Sequence, residues 1–371
     1  ALLTPGGVGD AGSTAAAQTG GRLDLVTQTL FLGPDPAEFV LRLGATDSPT
    51  DLQVEIFSAT RSRRALEASF EERPGTVALA RFRCSQRPDD CEFDTPGDGL
   101  VTIRIPDEEV GEALRPDTPG AFPVRISLLD ETDAEVEAVA TALVNPAAAG
   151  TAPGTVGLAF LADVVAPVAF QAGEGIAVDT NGLLAAAETL AARPTTPVTV
   201  DVRPESLDAL DEIDPDGLAT LRDLLADRPV LRSPWVELDE EGWRLAGDAA
   251  RVTALYALGL DTTESLLGRT PTGVVRLDPD ATPATLGMLR TVGATAVVTA
   301  DGQLPDSTRA EVALRPFELV DDNGLPIPAV HVDRDLHALL DDDDPELAGY
   351  RTLAVLALEA ADQPADRGAL L

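Results

Sequence analysis

The chain has no lysine. All 27 of its basic residues are arginine, and 63 acidic residues outnumber them to give a formal net charge of −36. Acid exceeds base in both halves of the sequence, so the charge does not come from one acidic tail. Such a field repels phosphate backbones and anionic lipid headgroups. The composition therefore argues against a protein that binds nucleic acid or a membrane surface.

Several chemical signatures are also missing. No run of about 18 apolar residues is long enough to span a membrane. There is no Gly-x-Ser-x-Gly elbow, no phosphate-binding loop and no cysteine–histidine nucleophile pair. Residues 7–12 match the pattern Gly-x-Gly-x-x-Gly, but no strand precedes them and no amphipathic helix follows, so dinucleotide binding is rejected. We therefore predict no cofactor.

The chain contains two cysteines, Cys84 and Cys91, with residues 85–90 between them. A zinc site would bring two further ligands, and no second pair of cysteines or histidines lies nearby. The spacing favours a disulfide across the end of a hairpin over two free buried thiols. A disulfide indicates an oxidising, extracytoplasmic compartment.

A linker rich in proline, glycine and alanine at residues 147–154 separates two patterns of hydrophobic residues. Before it, residues 1–21 bury almost nothing and are predicted to be a flexible lead-in. In residues 22–146, apolar side chains recur at every second position between turn residues, as in antiparallel strands with one buried face. About seven such strands predict an all-β, immunoglobulin-like sandwich over residues 22–146.

Residues 155–371 alternate short apolar runs with helical stretches that begin at clear capping signals. Asp214 followed by Pro215, and Thr282 followed by Pro283, are typical helix starts. Alternating strands and helices predict a parallel sheet. We expect an α/β domain, a (β/α)7-type barrel whose last strand is truncated at the C-terminus.

In parallel sheets, catalytic and binding residues lie where strands end and loops begin. The polar residues at the predicted strand ends would form an acidic pocket with an aromatic platform for a sugar. The candidates for catalysis are Asp163, Asp201, Glu237, Asp278 and His331, the candidates for binding are Trp235, Arg203 and Arg276, and Asp301 and Asp333 occupy similar positions.

Two of these carboxylates, for example Asp201 and Glu237, could act as acid and base in glycoside hydrolysis. Alternatively, the strand-end carboxylates cap helices or pair with Arg203 and Arg276 and have no catalytic role.

The chain has two histidines, His331 and His337, which are six residues apart. Helical metal ligands need a spacing of three or four residues to share a face, so a metal centre that uses both is disfavoured. The acidic run at residues 341–344 lacks the alternating ligands of a calcium loop and is interpreted as a solvated loop that ends in a helix cap. We predict no metal site.

In its order of strands and helices, the second domain resembles the polysaccharide-deacetylase-like barrels. That family holds a divalent metal with an Asp-Asp pair after its first strand and a His-x-x-x-His pair. Here the first strand ends at residues 161–165 with the single carboxylate Asp163, and the two histidines have a different spacing. The resemblance therefore implies a sugar-enzyme barrel that has lost its metal.

The whole chain is similar to an uncharacterised actinobacterial family, domain of unknown function 6049. The similarity is carried by residues 197–201, 271–301 and 353–360. Membership implies a secreted protein, anchored through a membrane helix outside this sequence. It also implies a gene beside that of a lipid II flippase and a role near cell-wall synthesis.

These inferences predict a non-catalytic scaffold or interaction protein of the cell envelope, with a degenerate carbohydrate-enzyme barrel that binds an envelope protein or a glycan. The alternative is a carbohydrate-active hydrolase, a glycosidase or a deacetylase-like esterase, that uses strand-end carboxylates. The two hypotheses differ in whether two carboxyl groups converge in one pocket without being paired to arginines.

Overall fold

The structure is a computed structural model that describes residues 23–33, 35–44, 51–93, 99–105, 120–145, 156–166, 168–171, 175–299, 316–341, 344–362 and 367–370. The predicted lead-in, the glycine motif at residues 7–12, the linker at residues 147–154 and Asp301 lie outside these residues. The chain divides into two compact units, Ala1–Pro153 with Leu339–Asp362 and Gly154–Ala338 with Gln363–Leu371.

The described residues form seventeen strands and nine α-helices. The strands are β1 Leu23–Gln28, β2 Ala37–Leu43, β3 Asp51–Ile56, β4 Ala80–Arg83, β5 Cys91–Phe93, β6 Leu100–Ile105, β7 Gly120–Leu129, β8 Glu135–Asn145, β9 Val156–Val164, β10 Ala169–Gln171, β11 Gly175–Ala177, β12 Val198–Val202, β13 Val274–Arg276, β14 Ala296–Thr299, β15 Phe317–Val320, β16 Pro326–His331 and β17 Arg367–Leu370. The helices are α1 Arg63–Glu71, α2 Thr180–Ala191, α3 Pro204–Ile213, α4 Pro215–Leu224, α5 Glu240–Leu245, α6 Ala249–Leu267, α7 Pro283–Thr291, α8 Arg334–Leu340 and α9 Pro345–Asp362.

The first unit contains two four-stranded antiparallel sheets, with strand orders β1-β2-β6-β5 and β4-β3-β7-β8. The alternating apolar residues of both sheets meet in one core, in which Phe39 and Ile126 have no exposed surface. Helix α9 belongs to this unit although the sequence pattern assigned it to the second domain. Leu347 of α9 joins the core, and Arg351 Nε donates to the carbonyl of Ala140 at 2.9 Å.

Cys84 and Cys91 form a disulfide, so the predicted pairing is confirmed, but the predicted position across the end of a hairpin is wrong. Both cysteines are buried at 7% exposure in the core of the first unit. The bond connects the residue after β4 to the first residue of β5, and these two strands belong to different sheets. The disulfide therefore ties the two sheets of the first unit together covalently.

The second unit contains a parallel sheet of order β12-β9-β17, a mixed sheet of order β13-β14-β16-β15 and the small hairpin β10-β11. The segment at residues 230–232 lies between the first two of these sheets. Leu231 N donates to the carbonyl of Val200 in β12, and Arg232 N donates to the carbonyl of Val274 in β13, both at 2.9 Å. This segment brings the carboxyl ends of β12 and β13 to one edge.

The predicted helix starts at Asp214 and Thr282 are confirmed. Asp214 Oδ1 accepts the amide of Gly217 at 2.9 Å, and Thr282 forms a capping box with Thr285. Each helix has a proline at its first position, where the backbone amide would have no partner within the helix, so its absence loses no hydrogen bond. No helix of the described residues is sufficiently long and apolar to cross a membrane.

The predicted fold, an immunoglobulin-like sandwich followed by a (β/α)7-type barrel, is wrong. The protein consists of several small, mostly antiparallel sheets combined with helices. The first unit includes α1 and α9 beside its sheets, and the parallel strands of the second unit are divided between two sheets, without a closed barrel in the described part of the chain. Period-two alternation shows that one face of a strand is covered, but it does not identify the element that covers it.

Candidate functional site

A cavity of about 570 Å³ lies in the second unit, at the carboxyl ends of β9, β12 and β13. Strands β9 and β12 are parallel neighbours with Asp163 opposite Asp201, so their carboxylates leave the sheet at the same edge. The charged side chains that line the cavity are the carboxyls of Asp163, Asp201, Glu237, Asp239, Glu240, Asp278 and Asp280 and the guanidinium groups of Arg203, Arg232 and Arg276.

Arg276, at the end of β13, forms ion pairs with the two neighbouring strand-end carboxylates. Its Nη2 donates to Asp163 Oδ1 at 2.6 Å and its Nη1 to Asp163 Oδ2 at 3.4 Å. Its Nε lies 3.6 Å from Asp201 Oδ2. A bidentate guanidinium fixes the orientation of a carboxylate as well as its charge. Asp163 and Arg276 therefore form one rigid polar edge of the cavity.

Asp201 is the more buried of the two aspartates, with 13% of its side chain exposed. Ser233 Oγ donates to its Oδ1 at 2.7 Å. Burial raises the pKa of Asp201, while the Ser233 hydrogen bond and the nearby Arg276 counteract that rise. The Asp201 carboxylate is thus held by two partners, one of them charged.

Glu237 stands at the outer rim of the cavity. Arg203 Nη2 donates to its Oε2 at 2.8 Å, and 76% of the Glu237 side chain is exposed. Exposed ion pairs of this kind contribute little to stability because water screens them. Nevertheless, the pair gives the rim a fixed donor and acceptor.

Glu240, in the first turn of α5, is the carboxyl whose surroundings are most unusual. It is 5% exposed and accepts the hydroxyl of Tyr256 at 2.9 Å. Burial raises the pKa of Glu240 to about 7, and the nearby negative charge of Asp278 acts in the same direction, against the hydrogen bonds from the backbone amide of Glu240 and from Tyr256. A buried carboxyl with a pKa raised in this way keeps its proton into the neutral range.

Tyr256 reaches Glu240 from α6 and is 2% exposed. Burial and then the adjacent Glu240 raise its pKa well above the ordinary value for a tyrosine. Its hydroxyl therefore stays protonated and acts as a donor.

Glu241, next to Glu240, points away from the cavity into a separate set of hydrogen bonds. Arg244 donates to its two oxygens at 2.6 and 2.8 Å, and Thr282 donates at 3.1 Å. Thr285 also donates to it. These bonds, the Arg244 contact foremost, lower the pKa of Glu241 to about 2. Glu241 therefore fastens α5 to the start of α7 and so fixes the position of Glu240.

We expect Glu241→Gln to lower the free energy of unfolding of the second unit by about 2 kcal/mol, since hydrogen bonds to charged groups contribute ~1.5–3 kcal/mol and solvent screens part of the Arg244 contact. The depressed pKa means that this stability is present above pH 4.5 and is lost as the pH falls towards 2. Urea unfolding of the variant and the wild type at pH 7 and pH 3 measures this difference in the free energy of unfolding. A difference between variant and wild type that does not shrink at pH 3 would contradict this assignment.

A glycine lets the Ser233 segment approach α6. A Cβ atom at Gly259 would lie 2.4 Å from the carbonyl oxygen of Ser233 and 2.8 Å from the amide of Trp235. That amide donates to the carbonyl of Leu255 at 2.9 Å, so the segment is hydrogen bonded to the helix where the two backbones touch. This close approach places Ser233 against Asp201.

The structure brings six of the predicted residues together in the cavity: Asp163, Asp201, Arg203, Glu237, Arg276 and Asp278. Trp235 is not among the residues that line the cavity; the aromatic residue in the lining is Tyr256.

His331 and Asp333 also lie away from the cavity. His331 is 3% exposed in β16 with its Nδ1 3.0 Å from Thr299 Oγ1, and Asp333 accepts the amide of Leu336 at 3.1 Å as a cap of α8. Within the described ranges, no group of three or more His, Cys, Asp or Glu side chains is arranged to hold a metal ion.

Sequence reasoning missed Ser233, Glu240 and Tyr256. The signal for Glu240 was the run of three acids that opens α5, which resembles a solvated helix start. Asp239 caps the helix by accepting the amide of Gly242 at 2.6 Å, whereas Glu240 and Glu241 are both buried. The apolar stripe of α6, which carries Tyr256, could have indicated which residue Glu240 meets.

No model of a known protein family matches the chain, and no curated protein matches it. Among solved structures, the chain is similar to the crystal structure of a 4-alpha-glucanotransferase from Thermococcus litoralis. The two are 18% identical with a TM-score of 0.43, and the match covers 60% of this chain and 33% of the glucanotransferase chain. The protein therefore spans about a third of the length of that glucanotransferase.

Proposed function

We propose that the protein is an extracytoplasmic binding protein of the cell envelope that takes a segment of a glycan into the cavity of its second unit without cleaving it. The observation that carries this proposal is the pairing of the cavity carboxylates. Asp163 is held by Arg276, Glu237 by Arg203 and Asp201 by Ser233. Such paired groups are fixed donors and acceptors rather than free acids and bases.

A glycan suits this lining because each sugar hydroxyl both donates and accepts a hydrogen bond. Seven carboxyls face three guanidinium groups in the cavity, so a polyanionic ligand would be repelled while a neutral polyol would not. The Cys84–Cys91 disulfide supports an oxidising compartment. Membership of the family of domain of unknown function 6049 and a place beside lipid II machinery are part of the same proposal, as is anchoring through segments outside this sequence.

A carbohydrate-active hydrolase is the second candidate function. With Asp201 and Glu237 as its acid and base it is disfavoured, because both are engaged by neighbouring side chains. One feature of the cavity favours it: Glu240 lies in the lining and is 5% exposed. Burial brings the pKa of Glu240 to about 7, in the range of a general acid. Release of new reducing ends from an oligosaccharide by the wild type, and its loss in Glu240→Gln, would establish turnover.

Arg276→Ala is expected to weaken glycan binding about tenfold, since it leaves Asp163 and Asp201 to repel each other without their shared partner. Isothermal titration against neutral oligosaccharides and peptidoglycan fragments measures this effect. Arg222→Ala is the matched control, because Arg222 is half exposed on α4, outside the cavity, and pairs with Asp223 at 3.7 Å. Absence of binding to every oligosaccharide, or equal binding by Arg276→Ala and wild type, would overturn the proposal.

A further inference from the structure

Helix α9 completes the first unit from a distant part of the chain. The chain leaves that unit at Pro153, forms most of the second unit over Gly154–Ala338, returns for Leu339–Asp362 and then leaves again to add β17 to the sheet of β9. Strands β1, β7 and β8 and helix α1 form the surface on which α9 packs, which we name the helix-binding face. The first unit is thus completed by a helix whose two ends both continue into the second unit.

The helix-binding face requires an occupant because its contact with α9 is apolar. Leu347 of α9 is 6% exposed and belongs to the core of the first unit, and Tyr350 packs against the same core. Farther along the helix, Ala354, Val355 and Leu358 are also buried. Removal of α9 would expose these side chains, and those that they cover, to water, which is unfavourable in proportion to the apolar area.

Polar contacts fix the register of α9 on the helix-binding face. The hydroxyl groups of Tyr350 and Thr27 share a hydrogen bond of 2.9 Å. Arg351 Nε donates to the carbonyl of Ala140 at 2.9 Å, and its guanidinium lies 5.4 Å from the centre of the Phe70 ring. All of these contacts join α9 to the face alone, so an α9 from another copy of the chain would make the same ones.

The docking of α9 also has weak points. The hydroxyl of Thr352 is buried without a hydrogen-bond partner in the described part of the chain, and a buried polar group that makes no bond is destabilising. At the other end of the contact, burial raises the pKa of Asp24 in β1, and the negative charges of Asp344 and Glu346 at the start of α9 add to that rise against Arg42. These features favour detachment of α9 at a lower free energy than unfolding of the whole unit.

From this arrangement we propose that the helix-binding face accepts α9 from a second copy of the chain, so that two copies exchange the helix and each first unit is completed by the other copy. The contacts of the exchanged dimer are those of the monomer, and the two differ only in which chain supplies α9. At low protein concentration the chain's own α9 prevails, because its covalent connection gives it a high effective concentration. Detachment of α9 at high protein concentration therefore populates the dimer. The inference concerns the first unit and does not depend on the proposed function of the cavity.

Exchange in the wild type is detected as a change in mass. The protein is held at high concentration in urea below its unfolding midpoint, returned to buffer and measured by size-exclusion chromatography with light scattering. We expect a species of twice the chain mass of 38.6 kDa, which persists on dilution because its dissociation requires α9 to detach again. Trp235 and Trp243 both belong to the second unit, so an unchanged tryptophan emission wavelength shows that this unit stays folded. A wild type that remains monomeric after this treatment overturns the exchange.

Two full-length variants distinguish exchange of α9 from association through another surface. The acceptor carries Leu347→Asp and Arg351→Ala, which disable its own α9 and leave the helix-binding face intact. The donor carries Phe70→Asp, which damages that face and leaves α9 intact, so the donor does not need a folded first unit. We expect the mixture to form a one-to-one heterodimer in native mass spectrometry, in which β8 of the acceptor regains protection from hydrogen exchange.

Leu353→Asp is the matched control for the acceptor. Leu353 also lies on α9 but is 50% exposed, so this variant should keep its own helix docked and should not bind the donor. No heterodimer between acceptor and donor, or a heterodimer that forms as readily with Leu353→Asp, overturns the exchange.

Discussion

Replacing Arg73 and Arg81 together by leucine is expected to lower the free energy of unfolding of the first unit by about 4 kcal/mol. Both guanidinium groups bind the carboxylate of Glu55, whose side chain has no exposed surface. Arg73 Nη2 donates to its two oxygens at 2.8 and 2.6 Å, and Arg81 donates to Oε1 through Nε at 2.9 Å and Nη2 at 2.5 Å. The double variant would leave a buried carboxylate without these four bonds.

The loss of stability comes from the uncompensated charge of the buried Glu55 carboxylate and not from removal of the arginine side chains, which are half exposed. Arg125 interacts with Glu55 over a longer distance but is held by Glu135 at 2.5 and 3.0 Å, so it replaces neither partner. Replacing Glu55, Arg73 and Arg81 all by leucine should therefore recover most of the lost free energy of unfolding, because an apolar cluster of similar volume needs no counterion.

Urea unfolding followed by circular dichroism, with hydrogen exchange of β3 to locate the change in the first unit, measures both variants. A double variant within about 1 kcal/mol of the wild type would show that water reaches Glu55. Failure of the triple variant to recover stability would instead show that the arginine stems support the sheet by packing.

The sequence was sufficient for those parts of the site that depend on local rules. Parallel strands expose their carboxyl ends at one edge, so the strand pattern alone predicted that Asp163 and Asp201 lie at the same edge, and the two residues are paired in register. The cap at Asp214 and the disulfide followed from spacing alone, because each depends on residues within eight positions of one another.

The parts that could not be predicted depend on distant partners. The period-two pattern of β3 placed Glu55 on a polar, solvent-facing side, yet two arginines from other elements cover it completely. Helix α9 has the same capped start as the helices of the second unit, and nothing local indicated that it packs with the first. The failure of the predicted sandwich and barrel has the same cause, since strand periodicity does not encode which strands pair.

The three adjacent acids at the start of α5 also have environments that local sequence does not reveal. Successive helical positions are rotated by about 100°, so three adjacent acids face three environments. Asp239 caps the helix, Glu240 enters the cavity and Glu241 binds Arg244. Nothing in the composition distinguishes these three acids from one another.

Gly259→Val is expected to cost about 3 kcal/mol of stability in the second unit and to displace the Ser233 segment from the cavity. Gly259 lies on the buried stripe of α6 together with Tyr256, and the atoms that a side chain would meet belong to the backbone. The carbonyl oxygen of Ser233 would be 2.4 Å from the new Cβ and the carbonyl carbon of Pro234 2.9 Å from it. Backbone cannot rotate aside as a flexible side chain can, so the segment or the helix has to move.

Such a shift would break the 2.7 Å bond from Ser233 to Asp201 and change the surroundings of Trp235, so loss of stability, a shift in tryptophan emission and loss of glycan binding should occur together. Gly349→Val is the matched control. Gly349 also lies in a helix, α9, where nothing stands within 4 Å of the new Cβ, and valine there should be neutral or slightly stabilising. If Gly259→Val behaved like Gly349→Val in all three measurements, the close approach of α6 would not be what positions Ser233. The cavity edge would then have to be held by the 230–232 backbone contacts alone.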